Sequence, residues 1–172
     1  MQTILNSMSD RELFHTLIHS AAKQAGRWLS GSRHTLVTVE SCTGGGIAFA
    51  VTQIAGSSAW FERSFVTYSN LAKQQMVDVD IKLLDRYGAV SEQVAAAMAQ
   101  GGLNNSTATI SLSVTGIAGP DGGSNEKPVG TVCFGRAQEN SVLTITKLFS
   151  GDRDAVRGQS ILFALNEWLR VE

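Results

Sequence analysis

"HTLVTVESCTGGGIAFAVTQIA", residues 34–55, decides the fold. From His34 to Glu40 it alternates and is rich in β-branched residues, which reads as a strand. Gly44, Gly45 and Gly46 then break the pattern, and a helical one runs on to Ala55. A strand that turns directly into a helix is a building unit of layered α/β proteins. The turn holds Ser41, Cys42 and Thr43 side by side. Residue types alone leave two readings: Ser41 and Thr43 cap the helix, or Ser41 is a nucleophile. In the second, backbone N–H groups from Cys42 to Gly45 hold a developing oxyanion or bind phosphate. The spacing is not that of the G-x-x-x-x-G-K-[ST] phosphate loop.

Upstream, residues 9–29 carry a helical stripe, with Ser9 and Glu12 in capping-box spacing. His15 and His19 lie four apart on this helix, but a third ligand is lacking, so they are read as solvated-face residues and no metal is expected. Downstream, a turn leads to a short strand over residues 64–68, and Ser69 or Asn70 caps a helix over 71–77. Tyr68 and Lys73 flank this second junction. Residues 80–87 read as a short helix stopped by Gly88, and residues 91–103 as a longer, alanine-rich one. A buried strand at 107–116 precedes the glycine-rich loop at 117–130. Two strands, 130–138 and 141–151, form an expected antiparallel hairpin, and an amphipathic helix spans 152–172. Interleaved strands and helices predict one α/β domain over residues 1–172, a mixed sheet covered by helices, with 1–8 as an N-terminal tail.

Charge and composition exclude several classes. Fourteen basic and fifteen acidic residues give a net −1 without a run of either sign, so neither nucleic acid nor an anionic membrane is an expected partner. No apolar stretch approaches the length of a membrane span, and a cytoplasmic location is expected. Cys42 and Cys133 form neither a disulfide framework nor a metal cluster; Cys133, within "GTVCFG", reads as a core thiol.

A serine hydroxyl attacks only when a base takes its proton. All three histidines, His15, His19 and His34, fall on the first helix or at the start of the first strand, which makes a serine–histidine–aspartate triad hard to build. Lys73 is the candidate base, and Tyr68 can relay the proton or hold the serine. Arg153 and Arg157, one turn apart near the start of the last helix, either pair with Asp152 and Asp154 or form a fork for a phosphate or carboxylate.

Seven motifs occur in the order found in the CinA C-terminal domain family, which the chain resembles from about residue 10 onward: "ESCTGG" (40–45), "AGSSAWF" (55–61), "VTYSNLAK" (66–73), "GAVS" (88–91), "TGIAGPDGG" (115–123), "KPVGTV" (127–132) and "FSGDRDAVR" (149–157). The resemblance implies a three-layer α/β/α sandwich and the activity of a nicotinamide-nucleotide amidase in pyridine-nucleotide recycling. Such an enzyme converts nicotinamide mononucleotide and water to nicotinate mononucleotide and ammonia, without a cofactor. It further implies catalytic roles for Ser41, Tyr68 and Lys73, and substrate contacts from Cys42, Thr43, Gly44, Gly45, Asn70, Gly116, Gly119 and Arg153. A homodimer or larger homo-oligomer is also implied. Val39, Gly46 and Ser64 depart from the common family pattern and are expected close to the pocket. The alternative reading is a relative that binds a nucleotide with weak, redirected or no amidase activity.

Overall fold

The computed structural model describes residues 10–171. The expected Ser9 cap and the expected tail, residues 1–8, lie outside the described residues. Five strands form one sheet in the order β2-β1-β3-β4-β5. They are β1 (Leu36–Glu40), β2 (Phe61–Val66), β3 (Ile110–Gly116), β4 (Thr131–Gln138) and β5 (Ser141–Leu148). β1 runs parallel to both β2 and β3, whereas β3–β4 and β4–β5 are antiparallel. The sheet is therefore mixed, as the sequence pattern requires.

Side-chain alternation on β3 explains the layers. Ile110, Leu112 and Val114 enter the larger core beneath helices α1 (Asp10–Ser32), α2 (Gly46–Thr52) and α6 (Arg153–Asn166). The intervening Ser113 points the other way and donates from its hydroxyl to the Ala95 carbonyl, 2.6 Å away, in helix α5 (Glu92–Asn104). On that second face α5 joins α3 (Asn70–Val77) and α4 (Ile81–Tyr87), and Val39, Val77, Leu84, Val94 and Met98 form a smaller core. Helices thus cover both faces of the sheet.

Helix starts follow local chemistry. Ser69, Asp80, Ser91 and Asp152 cap α3, α4, α5 and α6 with side-chain oxygens. The strand expected at residues 64–68 instead begins at Phe61 and ends at Val66. Its first residues are drawn into the ladder because Phe61 aligns with Leu36 and Arg63 with Val37, across a register irregularity. The last helix stops at Asn166, followed by a 3-10 turn at Trp168–Arg170.

The chain leaves β1 across one face, through α2 to β2, then crosses the other face, through α3, α4 and α5, to β3. Connections that diverge to opposite faces leave a crevice at the carboxyl ends of the strands between them. Ser41 sits directly above it.

Candidate active site

The turn after β1 is held from within by Glu40. Its carboxylate is fully buried and accepts the Thr43 hydroxyl at 2.7 Å and the N–H groups of Ile47 and Ala48 at 3.0 and 2.8 Å. The hydroxyls of Thr38 and Ser64 complete the shell at 3.2 and 3.4 Å. A strand-end glutamate thus caps the helix that follows its own turn, and a burial that would otherwise be costly is offset by donors on all sides. Gly44 and Gly45 take left-handed φ values of 60° and 88°, which a side chain would strain. Gly44 N–H donates to the Ser41 carbonyl and Gly46 N–H to the Thr43 carbonyl, closing the turn.

Two backbone bonds then align the neighbouring strand ends. Ser41 N–H donates to the Val114 carbonyl of β3, and Thr67 N–H donates to the Glu40 carbonyl. The second bond draws the start of α3 against the turn. Lys73, one turn into α3, is 1% exposed, and its Nζ lies 3.1 Å from Ser41 Oγ and 2.9 Å from the Thr67 carbonyl. Burial pushes the lysine below its ordinary pKa. The same burial pushes the Cys42 thiol up to about 12, with the Glu40 charge adding to the effect and local backbone N–H groups opposing it. A thiol held protonated in this way is a poor nucleophile, so the pair at hand for chemistry is Ser41 and Lys73.

These two residues open on a cavity of about 200 Å³. Of the residues singled out in the sequence, Ser41, Cys42, Tyr68, Asn70, Lys73, Gly116 and Arg153 line it. Thr43 is buried on Glu40, Gly44 and Gly45 form the turn behind, and Gly119 contributes its carbonyl to Arg153 at the rim. Tyr68 is 61% exposed, and its hydroxyl accepts from Arg153 Nη2 at 2.9 Å; among the described residues it meets neither Ser41 nor Lys73. Arg153 and Arg157 diverge rather than form a fork: Arg157 donates to the Thr43 carbonyl and so braces the turn, while Asp152 turns back to cap α6.

The three departures from the family pattern are not among the residues that line the cavity. Val39 faces the α5 core, Gly46 packs so tightly on Ile161 that a Cβ would approach to 2.7 Å, and Ser64 reaches Glu40. Alternation sends Val39 to the face opposite Glu40, where it packs with Val77, Val94 and Met98. Sequence reasoning missed Ala89, Val90, Thr115 and Ala118, which also line the cavity. Thr115 carried a signal, since alternation on β3 sets it with Ser113, and its hydroxyl holds the Ala89 carbonyl at 2.8 Å. Elsewhere, His15 and His19 are exposed, His34 meets Thr109 and Gln138 far from the serine, and Cys133 is buried in the sheet. Among the described residues, no group of three or more His, Cys, Asp or Glu could hold a metal ion, and no helix is long and apolar enough to cross a membrane.

A layered α/β/α protein with a polar, cation-lined cavity at the carboxyl ends of its parallel strands is one of the small-ligand-binding α/β class. The model of the CinA C-terminal domain matches residues 18–171, and the chain belongs to that family. It is 53% identical over 154 residues to a nicotinamide-nucleotide amidohydrolase PncC of Enterobacter agglomerans, covering 89% of this chain and 94% of the relative. The protein of the same name from Escherichia coli K12 is 52% identical, covering 92% of this chain and 93% of the relative. Among solved structures, the competence/damage inducible protein CihA from Agrobacterium tumefaciens superimposes with a TM-score of 0.83 at 43% identity, over 87% of this chain and 92% of the other.

Proposed function

We propose that this chain is a nicotinamide-nucleotide amidase that hydrolyses the carboxamide of nicotinamide mononucleotide to nicotinate mononucleotide and ammonia. One observation carries the reading: a buried lysine of lowered pKa lies 3.1 Å from a serine hydroxyl, and both line a cavity. Relatives 44–53% identical over most of this chain that bear the amidohydrolase name supply the substrate.

In its neutral form the Lys73 amine keeps one N–H on the Thr67 carbonyl and turns its lone pair to the Ser41 O–H. Ser41 Oγ attacks the carboxamide carbon and its proton passes to Nζ. That proton then goes to the amide nitrogen, the C–N bond breaks, and ammonia leaves an ester on Ser41. Water attacks the ester, Lys73 takes its proton and returns it to Ser41 Oγ, and nicotinate mononucleotide departs. The oxyanion falls to the turn's N–H groups at Cys42 and Thr43, because that of Ser41 is engaged by the Val114 carbonyl. Tyr68 assists proton movement, and Arg153 takes the nucleotide phosphate.

The reaction needs no cofactor and runs in the cytoplasm on a soluble nucleotide. A homo-oligomer belongs to the same reading, supported by Phe49 and Leu71, which remain 64% and 58% exposed. Purified protein incubated with nicotinamide mononucleotide should release equal amounts of ammonia and nicotinate mononucleotide, and Ser41→Ala should abolish both. Folded wild-type protein that binds the nucleotide without turnover would sink the reading.

A further inference from the structure

At the mouth of the cavity one guanidinium joins two walls. Arg153, the first residue of α6, donates from Nη1 to the Gly119 carbonyl and from Nη2 to the Tyr68 hydroxyl, each at 2.9 Å. Gly119 lies in the loop after β3 and Tyr68 at the β2–α3 junction, so the side chain bridges the rim. Both acceptors are neutral, whereas a phosphate offers the same fork an anionic, bidentate partner. Arg153 brings a cation to the cavity, among whose described lining residues there is no aspartate or glutamate.

Size fixes which end of a nucleotide goes where. The cavity of about 200 Å³ is smaller than the roughly 300–1,000 Å³ that encloses a whole drug-sized ligand. A carboxamide placed on Ser41 therefore puts the ring inside and leaves the phosphate at the rim, beside Arg153. Meanwhile the Tyr68 hydroxyl is engaged by Arg153 and not by the Ser41–Lys73 pair.

We infer that the 5′-phosphate of the substrate draws Arg153 off Tyr68, so that the phosphate both anchors the nucleotide and releases the tyrosine hydroxyl to the serine–lysine pair. Arg153 is then a specificity-determining residue whose preference for a phosphorylated nucleoside is expressed in turnover. The inference rests on the amidase reading above. Binding energy from a remote substrate group that is spent in this way shows itself when the substrate is truncated: kcat falls, and not KM alone.

The test compares saturation kinetics on nicotinamide mononucleotide and on the same nucleoside lacking the phosphate, with wild type and Arg153→Ala. Wild type should show a kcat about 50-fold lower on the unphosphorylated nucleoside, within the usual range for coupled sites. Arg153→Ala, which leaves the Tyr68 hydroxyl without the arginine that withholds it, should turn over both substrates at a similar kcat, above that of wild type on the unphosphorylated nucleoside, with the lost phosphate anchor appearing as a raised KM for the nucleotide. Equal wild-type kcat on the two substrates, with the whole difference in KM, overturns the coupling and leaves the amidase reading intact. Undiminished kcat discrimination in Arg153→Ala overturns it as well. If wild type hydrolyses neither substrate, the amidase reading fails first and the inference fails with it. The wild-type comparison decides the matter even if the variant does not fold.

Discussion

The β1–α2 and β2–α3 junctions meet at the same cavity but differ in construction. In the first, Glu40, Ser41 and Thr43 are all buried, and the turn closes on an internal carboxylate. In the second, Tyr68, Ser69, Asn70 and Leu71 are exposed, while Thr67 and Lys73 are buried. The difference separates two tasks. A nucleophile must be held within a fraction of an ångström of its base, whereas side chains that admit and grip a nucleotide must move. Glu40 fixes the first junction from behind, and Arg153 ties the second by a contact at the rim that a ligand can replace.

The greatest effect is expected where the two junctions meet. Lys73→Met keeps the length of the side chain and removes the base, and kcat should fall by about 10³-fold, within the range for general-base catalysis. Circular dichroism and a melting curve show whether the fold survives. If the variant retained more than a tenth of the activity, the β2–α3 junction would supply recognition alone.

Disruption of the buried junction should register in stability. Glu40→Ala leaves the N–H groups of Ile47 and Ala48 and the Thr43 hydroxyl without their acceptor. Several unpaired buried donors cost about 3 kcal/mol, which for a chain of this size lowers Tm by about 10 °C. At the exposed junction Ser69→Ala removes only the cap on α3, and about 1 kcal/mol, some 3 °C, is expected. Equal losses in the two thermal scans would erase the proposed contrast.

pH provides a finer probe. Lys73 acts as a base only when neutral, so kcat/KM should rise with pH and level off above the folded-state pKa, which burial holds below the ordinary 10.5. The stability linkage has the same sign. Between the folded pKa and the ordinary one, the unfolded chain binds the additional proton, so stability rises with pH across that window. Below the window the cost of burying the ammonium is present in full. Lys73→Met should flatten both profiles.

Much of this arrangement was legible in residue types. Three glycines after a β-branched run marked the first junction, and a serine, a tyrosine and a lysine around two strand–helix turns marked residues that line the cavity. Glu40 was not legible, because a glutamate at a strand end ordinarily faces water. Only the fold brings the N-terminus of α2 back over its carboxylate. Ala89 and Val90 were equally silent, since small apolar residues in a connection carry no chemical signal and line the cavity through the path of the α4–α5 loop. The Arg153–Tyr68 contact joins residues 85 positions apart and depends on where α6 starts relative to β2.

On the proposed mechanism, Ser41 forms a covalent intermediate with Lys73 as its base. Wild-type protein would be mixed with nicotinamide mononucleotide, quenched in acid during turnover, digested and read by mass spectrometry. A nicotinate-mononucleotide ester is expected on the peptide that contains Ser41, absent from Ser41→Ala and from Lys73→Met. Full product formation by Ser41→Ala, or an adduct located on Cys42 instead, would contradict it.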